Sequence, residues 1–453
     1  MSKKTKHRKK APEPIRPNAL SQAPSRLDYL AVLPGLLLCA MTVLMLLMDC
    51  LIPGMEREQY TDFPSMFRMI HGVILCAGVL LWIFLLRSRG TLWLHPRTLF
   101  KKDTLFILFF ALFAVWILLS TAVNGLDEKA IHGVSYRNIG VFHLLAFLLI
   151  YMFTASQLVR MSLRRCLMWF FLGAADLLAL AALADRFICD IPAFAQKKEI
   201  STIFFNGNHY GYFLTMAVLV GAGLFVFRAG RKLDLFGLVS GLLNFTVLLL
   251  NHSLGCLLAV VGAVVFLLIL TIAADRPAAQ RLGLLLGCFA GFLLLGLLIL
   301  APLRSEFAGL PQDLHQILSG EDASSAGHNR WLLWSQTIDL ISQRPLFGYG
   351  CEGIADILKD AVDRANPHNE LLTYAAFYGI PAALFYVLGL VAIFVCWIRR
   401  KIWTDPVSIA AALAAFGYFL SSLFGVPMFY TAPFFFVFLG LSLTPAKDLS
   451  ILT

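Results

Sequence analysis

The sequence predicts an all-α, polytopic membrane protein of about twelve transmembrane helices, with one large extracytoplasmic loop between helices 9 and 10. Three observations predict it. The 453 residues are 59% hydrophobic and only 14% charged, with a mean hydropathy of +0.77, where a soluble domain carries about 25% charged residues. The apolar residues fall into runs of about 18 or more, each long enough as a helix to cross roughly 30 Å of hydrocarbon. Finally, basic residues collect in alternate connections, as the positive-inside rule requires.

In chain order the spans are placed near residues 29–48, 67–86, 103–122, 139–159, 166–184, 209–227, 233–250, 254–274, 283–301, 371–398, 407–424 and 428–444. Only "NHS" (Asn251 to Ser253) separates the seventh from the eighth, so it must form the turn of a tight helical hairpin. With the "KKTKHRKK" tail inside, the tails and even-numbered connections hold 25 of the 37 Lys and Arg, whereas 19 of the 27 Asp and Glu lie on the opposite side. The expected organisation is therefore a disordered basic cytoplasmic tail (1–28), helices 1–9 (29–301), the large outer loop (302–370), helices 10–12 (371–445) and a cytoplasmic C-terminal tail (446–453).

The net charge of +10 and the basic N-terminus do not require a nucleic-acid partner; an orienting tail that touches anionic lipid explains them. The first apolar run is of span length and starts late, unlike a cleavable signal peptide. Of nine cysteines, most sit in or beside spans as small hydrophobes, with no CxxC pair. A bridge between Cys189 and Cys351 on the outer side is conceivable. No cluster of acidic or His/Cys side chains suggests a metal, and no cofactor is expected.

The outer connections differ greatly in size. The segment from Pro302 to Glu370 carries ten acidic and five basic side chains, and a connection that long is usually functional. Within it, Asn329 to Gln343 reads as an amphipathic helix with Trp331, Leu332, Trp334, Ile338 and Ile341 apolar, ending before "RPLFGYG". "GIADILKDAVDRA" reads as a second, shorter helix before "NPHNELL". Trp331 and Trp334 are either interfacial anchors or stacking platforms for a sugar.

Arg330 and Trp334, then "RPLFGYG" (Arg344 to Gly350), then "NPHNELL" entering a span with "YGIPAALFY" (Tyr378 to Tyr386), together resemble the O-antigen ligase and Wzy-type polymerase superfamily. "FFNGNHYGYFL" (Phe204 to Leu214) shares in the resemblance, which covers roughly residues 200 to 425. It implies a glycosyltransferase of the bacterial cytoplasmic (inner) membrane, active in polysaccharide and cell-envelope synthesis. Such an enzyme moves a glycan from an undecaprenyl-pyrophosphate donor on the outer face to a hydroxyl of a saccharide or glycolipid acceptor, without a metal.

The residue chemistry agrees. Glycosyl transfer from a pyrophosphate needs a base at the acceptor hydroxyl and positive charge on the departing phosphates. His368 matches the family's His-Asn position and is the expected base, with an ordinary pKa near 6.5. The bland alternative is a helix-start histidine beside the cap Asn369. Arg330 matches the loop arginine and suits bidentate phosphate contact, with Arg344 as the second choice. Asn206, Asn208, His209, Asn369 and Glu370 are possible pocket residues, although capping the sixth span explains Asn208 equally well. Where many relatives carry an arginine near the seventh and eighth spans, this chain has Leu254. The second phosphate cation is therefore unassigned, with His252, Arg186, Lys197 and Lys198 as candidates.

The rival class is a multi-span transporter or exporter of a polysaccharide precursor. Transporters place ionisable groups at the midplane and break helices in matching halves. Here only Asp176, His71 and His143 interrupt span interiors, and the two halves show no similarity.

The expected topology has a direct check. A reporter fused after Lys232 or Lys401 should behave as cytoplasmic, and one inserted at Ser324 as extracytoplasmic. Finding Ser324 inside would overturn both the span count and an outer-face site.

Overall fold

The computed structural model describes residues 26–51, 72–84, 105–134, 137–189, 191, 200–204, 206–272, 276–319, 326–400 and 402–443. Both tails and Lys197 and Lys198 lie outside the described residues, as do His71 and most of the "EDASSAGH" link. Among the described residues the chain is helical, with no strand. Helices α1 (Arg26–Leu51), α2 (Gly72–Phe84), α3 (Leu105–Asn124), α5 (Val141–Gln157), α6 (Met161–Phe187), α7 (Gly207–Val226), α8 (Arg231–Asn251), α9 (Leu254–Ile272) and α10 (Arg276–Ile299) overlap the first nine predicted spans. A short α4 (Glu128–His132) sits in the connection after α3.

Beyond α10 come α11 (Ala301–Ser319), α12 (Ala326–Gln343), α13 (Ala355–Val362), α14 (Glu370–Tyr378), α15 (Ile380–Arg399), α16 (Pro406–Ser422) and α17 (Ala432–Ser442). Eight of the described helices are long and apolar enough to cross a membrane: α1, α3, α6, α7, α8, α9, α10 and α15. The apolar helices α2, α5, α16 and α17 are shorter. The chain is thus an all-helical, polytopic membrane protein.

Its centre is α7, buried along nearly its whole length between α8 and α16. Gly221 allows the α8 side to close up, because a Cβ there would stand 2.3 Å from the Gly237 carbonyl oxygen. Small residues at such a crossing let van der Waals packing do in lipid what hydrophobic burial does in water. At the end of the bundle where α6 begins, Arg164 is fully buried. Its Nη1 lies 2.7 Å from Asp405 Oδ2, and its Nη2 donates to Ser408 Oγ and to the Leu441 carbonyl. That one guanidinium ties α6, α16 and the end of α17.

The region expected as loop is mostly helical. Both predicted loop helices are present, as α12 and α13. The buried stripe of α12 is Leu333, Thr337 and Ile341, with Trp331 and Ile338 exposed, so the helix is turned away from the face its sequence suggested. Helix α11 lies where only loop was expected; Pro302 falls in its first turn, where proline is tolerated, and Pro311 in its interior. It forms nonetheless directly after a break at Leu300, and Arg304 Nη1 donates to the last carbonyls of α10, those of Leu297 and Leu298, at 3.2 and 3.0 Å. Cys189 and Cys351 are both free thiols, so the conceivable bridge is absent.

The tenth span, read as 371–398, starts only at Ile380. Glu370 Oε1 accepts from the hydroxyls of both Tyr374 and Tyr386 at 2.9 Å. Residues 370 and 386 would be about 24 Å apart along one straight helix, so α14 must fold back along α15. The fold happens at Gly379, with φ +91°. The broken backbone is repaired by "RPLFGYG". The Ile380 N–H donates to the Pro345 carbonyl at 2.8 Å, and the Tyr349 and Gly350 N–H groups donate to the Ala376 and Phe377 carbonyls at 2.9 Å each. Helix α3 completes the seal. Trp116 Nε1 donates to the Leu346 carbonyl, Ser120 Oγ and Asn124 Nδ2 donate to the Phe347 carbonyl, and the Trp116 and Phe347 rings stack at 5.4 Å.

Gly379 is therefore irreplaceable on two grounds: its φ disfavours L-residues, and an added Cβ would stand 1.8 Å from the Leu346 carbonyl oxygen. Gly379→Ala should destabilise the protein by at least about 2–3 kcal/mol, read as a lower melting temperature in detergent. Gly291→Ala, where the added Cβ meets nothing within 4 Å, should be silent. Equal melting of the two variants would refute this account of the junction.

Candidate functional site

The fold-back sets "NPHNE" at the mouth of the bundle, and each residue of it is pinned. Asn366 Oδ1 accepts the His368 N–H at 3.1 Å, an Asx-type turn that lets His368 adopt φ +48°. Asn369 caps α14: its Oδ1 accepts the Leu372 N–H at 3.0 Å, and its Nδ2 donates to the Leu423 carbonyl at the end of α16. Glu370 is buried and held by the two tyrosines. The Pro367 carbonyl accepts from Trp334 Nε1 at 3.1 Å. Trp334 is thus anchored to the protein through its indole N–H. Arg330 stands one helical turn before Trp334 on the same side of α12, which brings its guanidinium toward His368.

The electrostatics follow from that placement. Desolvation, first, and then the positive charges of Arg330, Arg364 and Arg137 together lower the pKa of His368 from its ordinary value to about 4. The pKa near 6.5 expected from sequence is corrected accordingly. A group whose folded pKa is depressed in this way stays neutral throughout the neutral range, with its ring nitrogen free to accept a proton.

A second imidazole faces the first from the start of α7. Asn206, and not Asn208, caps that helix, accepting the Asn208 and His209 N–H groups at 2.9 and 3.4 Å. Tyr430 spends its one proton on the Phe204 carbonyl at 3.0 Å. The 3.1 Å contact between His209 Nδ1 and Tyr430 Oη is then donated by the imidazole, which leaves Nε2 as the bare nitrogen. His209 and His368 lie within electrostatic reach of each other.

Asn208 Oδ1 instead accepts from Ser253 Oγ at 2.8 Å. Asn251 Nδ2 donates to the Ile200 and Gly207 carbonyls, and His252 turns the chain with φ +45°. The tight "NHS" hairpin is therefore present, and its side chains lock it to the start of α7. Leu254 opens α9 with no cation in its place.

Of the remaining cations, Arg344 is exposed on the repair segment, its guanidinium 4.7 Å over the Tyr349 ring. Arg186 is exposed at the end of α6. Sequence reasoning missed Arg137, which is buried and pairs bidentately with buried Glu352; Nε meets Oε1 at 2.8 Å, and Nη2 meets Oε2. It also missed Arg364, exposed, whose Nη1 donates to the Asp363 carbonyl at 3.0 Å. Neither lies in a motif that sets it apart from any other outer arginine. Asp176, inside α6, accepts from Ser240 Oγ and Asn244 Nδ2 of α8 at 2.6 and 2.8 Å, an interhelical tie away from this site. Among the described residues no three His, Cys, Asp or Glu side chains converge as metal ligands.

The structure brings together His368, Asn369, Glu370, Arg330 and His209, and leaves Arg344 on the neighbouring segment. Residues 239–387 match the family model described as O-Antigen ligase. This places that region, which holds the "NHS" hairpin, α12, the repair segment and the "NPHNE" turn, in the O-antigen ligase/Wzy superfamily. No curated protein matches the chain. The match supports an O-antigen ligase- or polymerase-like function at a bacterial membrane, with glycosyltransferase-type activity and lipid-linked glycan and saccharide partners in general.

Proposed function

We propose that this chain transfers a glycan from an undecaprenyl-pyrophosphate donor to an acceptor hydroxyl on the outer face of the cytoplasmic membrane, as a polymerase or ligase. The reading takes twelve spans with both termini inside, and an outer segment 302–370 between the ninth and tenth, so that the site opens on that face. The observation that carries the reading is the Trp334-to-Pro367 hydrogen bond, which docks the Arg330 face of α12 onto the turn that presents His368. A neutral base and a guanidinium are the two groups the chemistry asks for.

In the step itself, the acceptor oxygen attacks the anomeric carbon of the donor sugar while His368 takes the hydroxyl proton. The carbon–oxygen bond to phosphate breaks, and its electron pair leaves with the pyrophosphate. Negative charge grows on that leaving group, and Arg330 offsets it, with Arg344 as the second choice on the neighbouring segment. Asn206, Asn208, His209, Asn369 and Glu370 shape the pocket around the acceptor.

Loss of the base and loss of the cation should differ in kind. His368→Ala should keep donor binding and lower turnover by about 10²–10⁴-fold. Arg330→Lys keeps charge but loses the planar fork, so it should weaken donor binding as well as turnover, and Arg330→Ala should do so more strongly. Donor affinity and glycan yield, measured in membranes of matched expression, separate the two; near wild-type yield from His368→Ala would remove the base from the mechanism.

Because arginines and not a metal meet the pyrophosphate charge in this scheme, transfer should survive EDTA. Abolition by EDTA with recovery on adding Mg²⁺ or Mn²⁺ would contradict it.

A further inference from the structure

His368 is surrounded by cations that outnumber their counter-charges. Arg137 acts on it from the segment before α5 but is matched by Glu352. Arg330 acts from α12 and Arg364 from the turn before α14. Among the described residues neither of these two pairs with a carboxylate. On α7, His209 faces the same imidazole and adds no negative charge. At the start of α14, Glu370 turns its carboxylate to Tyr374 and Tyr386, and Tyr212 and Tyr430 bring neutral hydroxyls. Two unmatched guanidiniums beside a half-buried imidazole form an arrangement that an anion would complete. Phosphate groups suit the planar fork of arginine.

We propose that Arg364 joins Arg330 in holding the donor's pyrophosphate over His368, so that the anion carrying the glycan also strengthens the base its transfer needs. The proposal rests on the reading of this site as one for a pyrophosphate donor. Arg364 then supplies from the "NPHNE" side the second cation that position 254 lacks.

The consequence is a cycle. With the site empty, the guanidinium charges oppose protonation of His368. When the pyrophosphate arrives, its charge balances theirs and the imidazole's proton affinity rises, so it accepts the acceptor's proton as the glycosidic bond forms. When the undecaprenyl pyrophosphate departs, the unmatched cations return and expel that proton to water. Donor binding and base strength are thus linked, and by linkage each favours the other.

The test uses the full-length protein in detergent, with histidines labelled with ¹³C at Cε1 and the His368 signal assigned by its loss in His368→Gln. Inorganic pyrophosphate is the probe, its binding followed by calorimetry. Without it His368 should titrate near pH 4; at saturation its pKa should rise by at least about one unit, a tenfold gain in proton affinity. Arg364→Gln should weaken pyrophosphate binding about tenfold and raise the pKa of His368 in the empty site. Should acid unfold the wild type, the same comparison is made in Arg330→Gln, whose His368 should titrate at a milder pH.

Pyrophosphate that binds without moving the titration overturns the proposal, as does wild-type pyrophosphate affinity in Arg364→Gln. Glycan transfer is assayed on the same preparation. Transfer that depends on His368 while its titration ignores pyrophosphate sinks only the coupling, whereas transfer that ignores His368 sinks the function proposed above.

Discussion

A membrane-embedded backbone must satisfy its own polar groups, and in this protein that constraint is met at one break. Gly379 ends α14 and begins α15 with a fold-back that exposes carbonyls and N–H groups no straight helix would expose. In hydrocarbon each unsatisfied group costs several kcal/mol. "RPLFGYG" supplies the partners, and Trp116, Ser120 and Asn124 of α3 satisfy the carbonyls that this segment leaves over. The two motifs that look unrelated in the sequence, one in a loop and one in a span, are two sides of a single hydrogen-bonded junction. This is the physical reason both contain glycine: Gly348 and Gly379 occupy positive φ, and a side chain on either would strike the other strand of the junction.

The fold-back also explains where the chemistry sits. Had α14 continued straight into α15, Glu370 and His368 would stand well above the start of the span, in open solvent. Folded back, Glu370 reaches Tyr386, about 9 Å along α15 from its start, and His368 comes down beside the start of α7. There it lies within electrostatic reach of His209, and α12 is tied to the same turn through Trp334. Partial desolvation and the surrounding arginines then act together on one imidazole. Helix α16, too short to be read as a span by length alone, ends at this same region, with Leu423 just past its end accepting from Asn369.

Much of the framework was legible in the sequence, because span length and hydropathy act locally: described helices overlap each of the twelve apolar stretches, eight of them long and apolar enough to cross a membrane, and the "NHS" turn and both loop helices lie where the pattern put them. Gly379 followed by Pro381 is a local stop-and-start signal, but the unbroken apolar run of 371–398 hides it, and the segment that repairs the break lies about thirty residues away. Helix α11 carries Pro311 in its interior, which weighs against it, and it buries only Leu303. Trp334 reads as interfacial, because nothing local predicts a partner 33 residues away. In the candidate site, His368 and Arg330 stand out in the sequence through their motif, whereas Arg137 and Arg364 belong to none. Their relevance is a matter of proximity, and proximity appears only once α14 has turned back.

The same geometry bears on the leucine at position 254. In this structure the loop between α8 and α9 is committed to holding the start of α7: Asn251 bonds the Ile200 and Gly207 carbonyls, and Ser253 bonds Asn208. A long cationic side chain at 254 would project from a turn whose polar groups already have structural tasks. The opposite wall of the site is under no such demand. Arg330 has no hydrogen-bond partner among the described residues, and Arg364 spends one N–H on a neighbouring carbonyl. Free guanidinium capacity therefore lies on the α12 and α14 side of His368. Any anion drawn to this end of the protein is therefore pulled toward the side of His368 that α12 and the turn before α14 form.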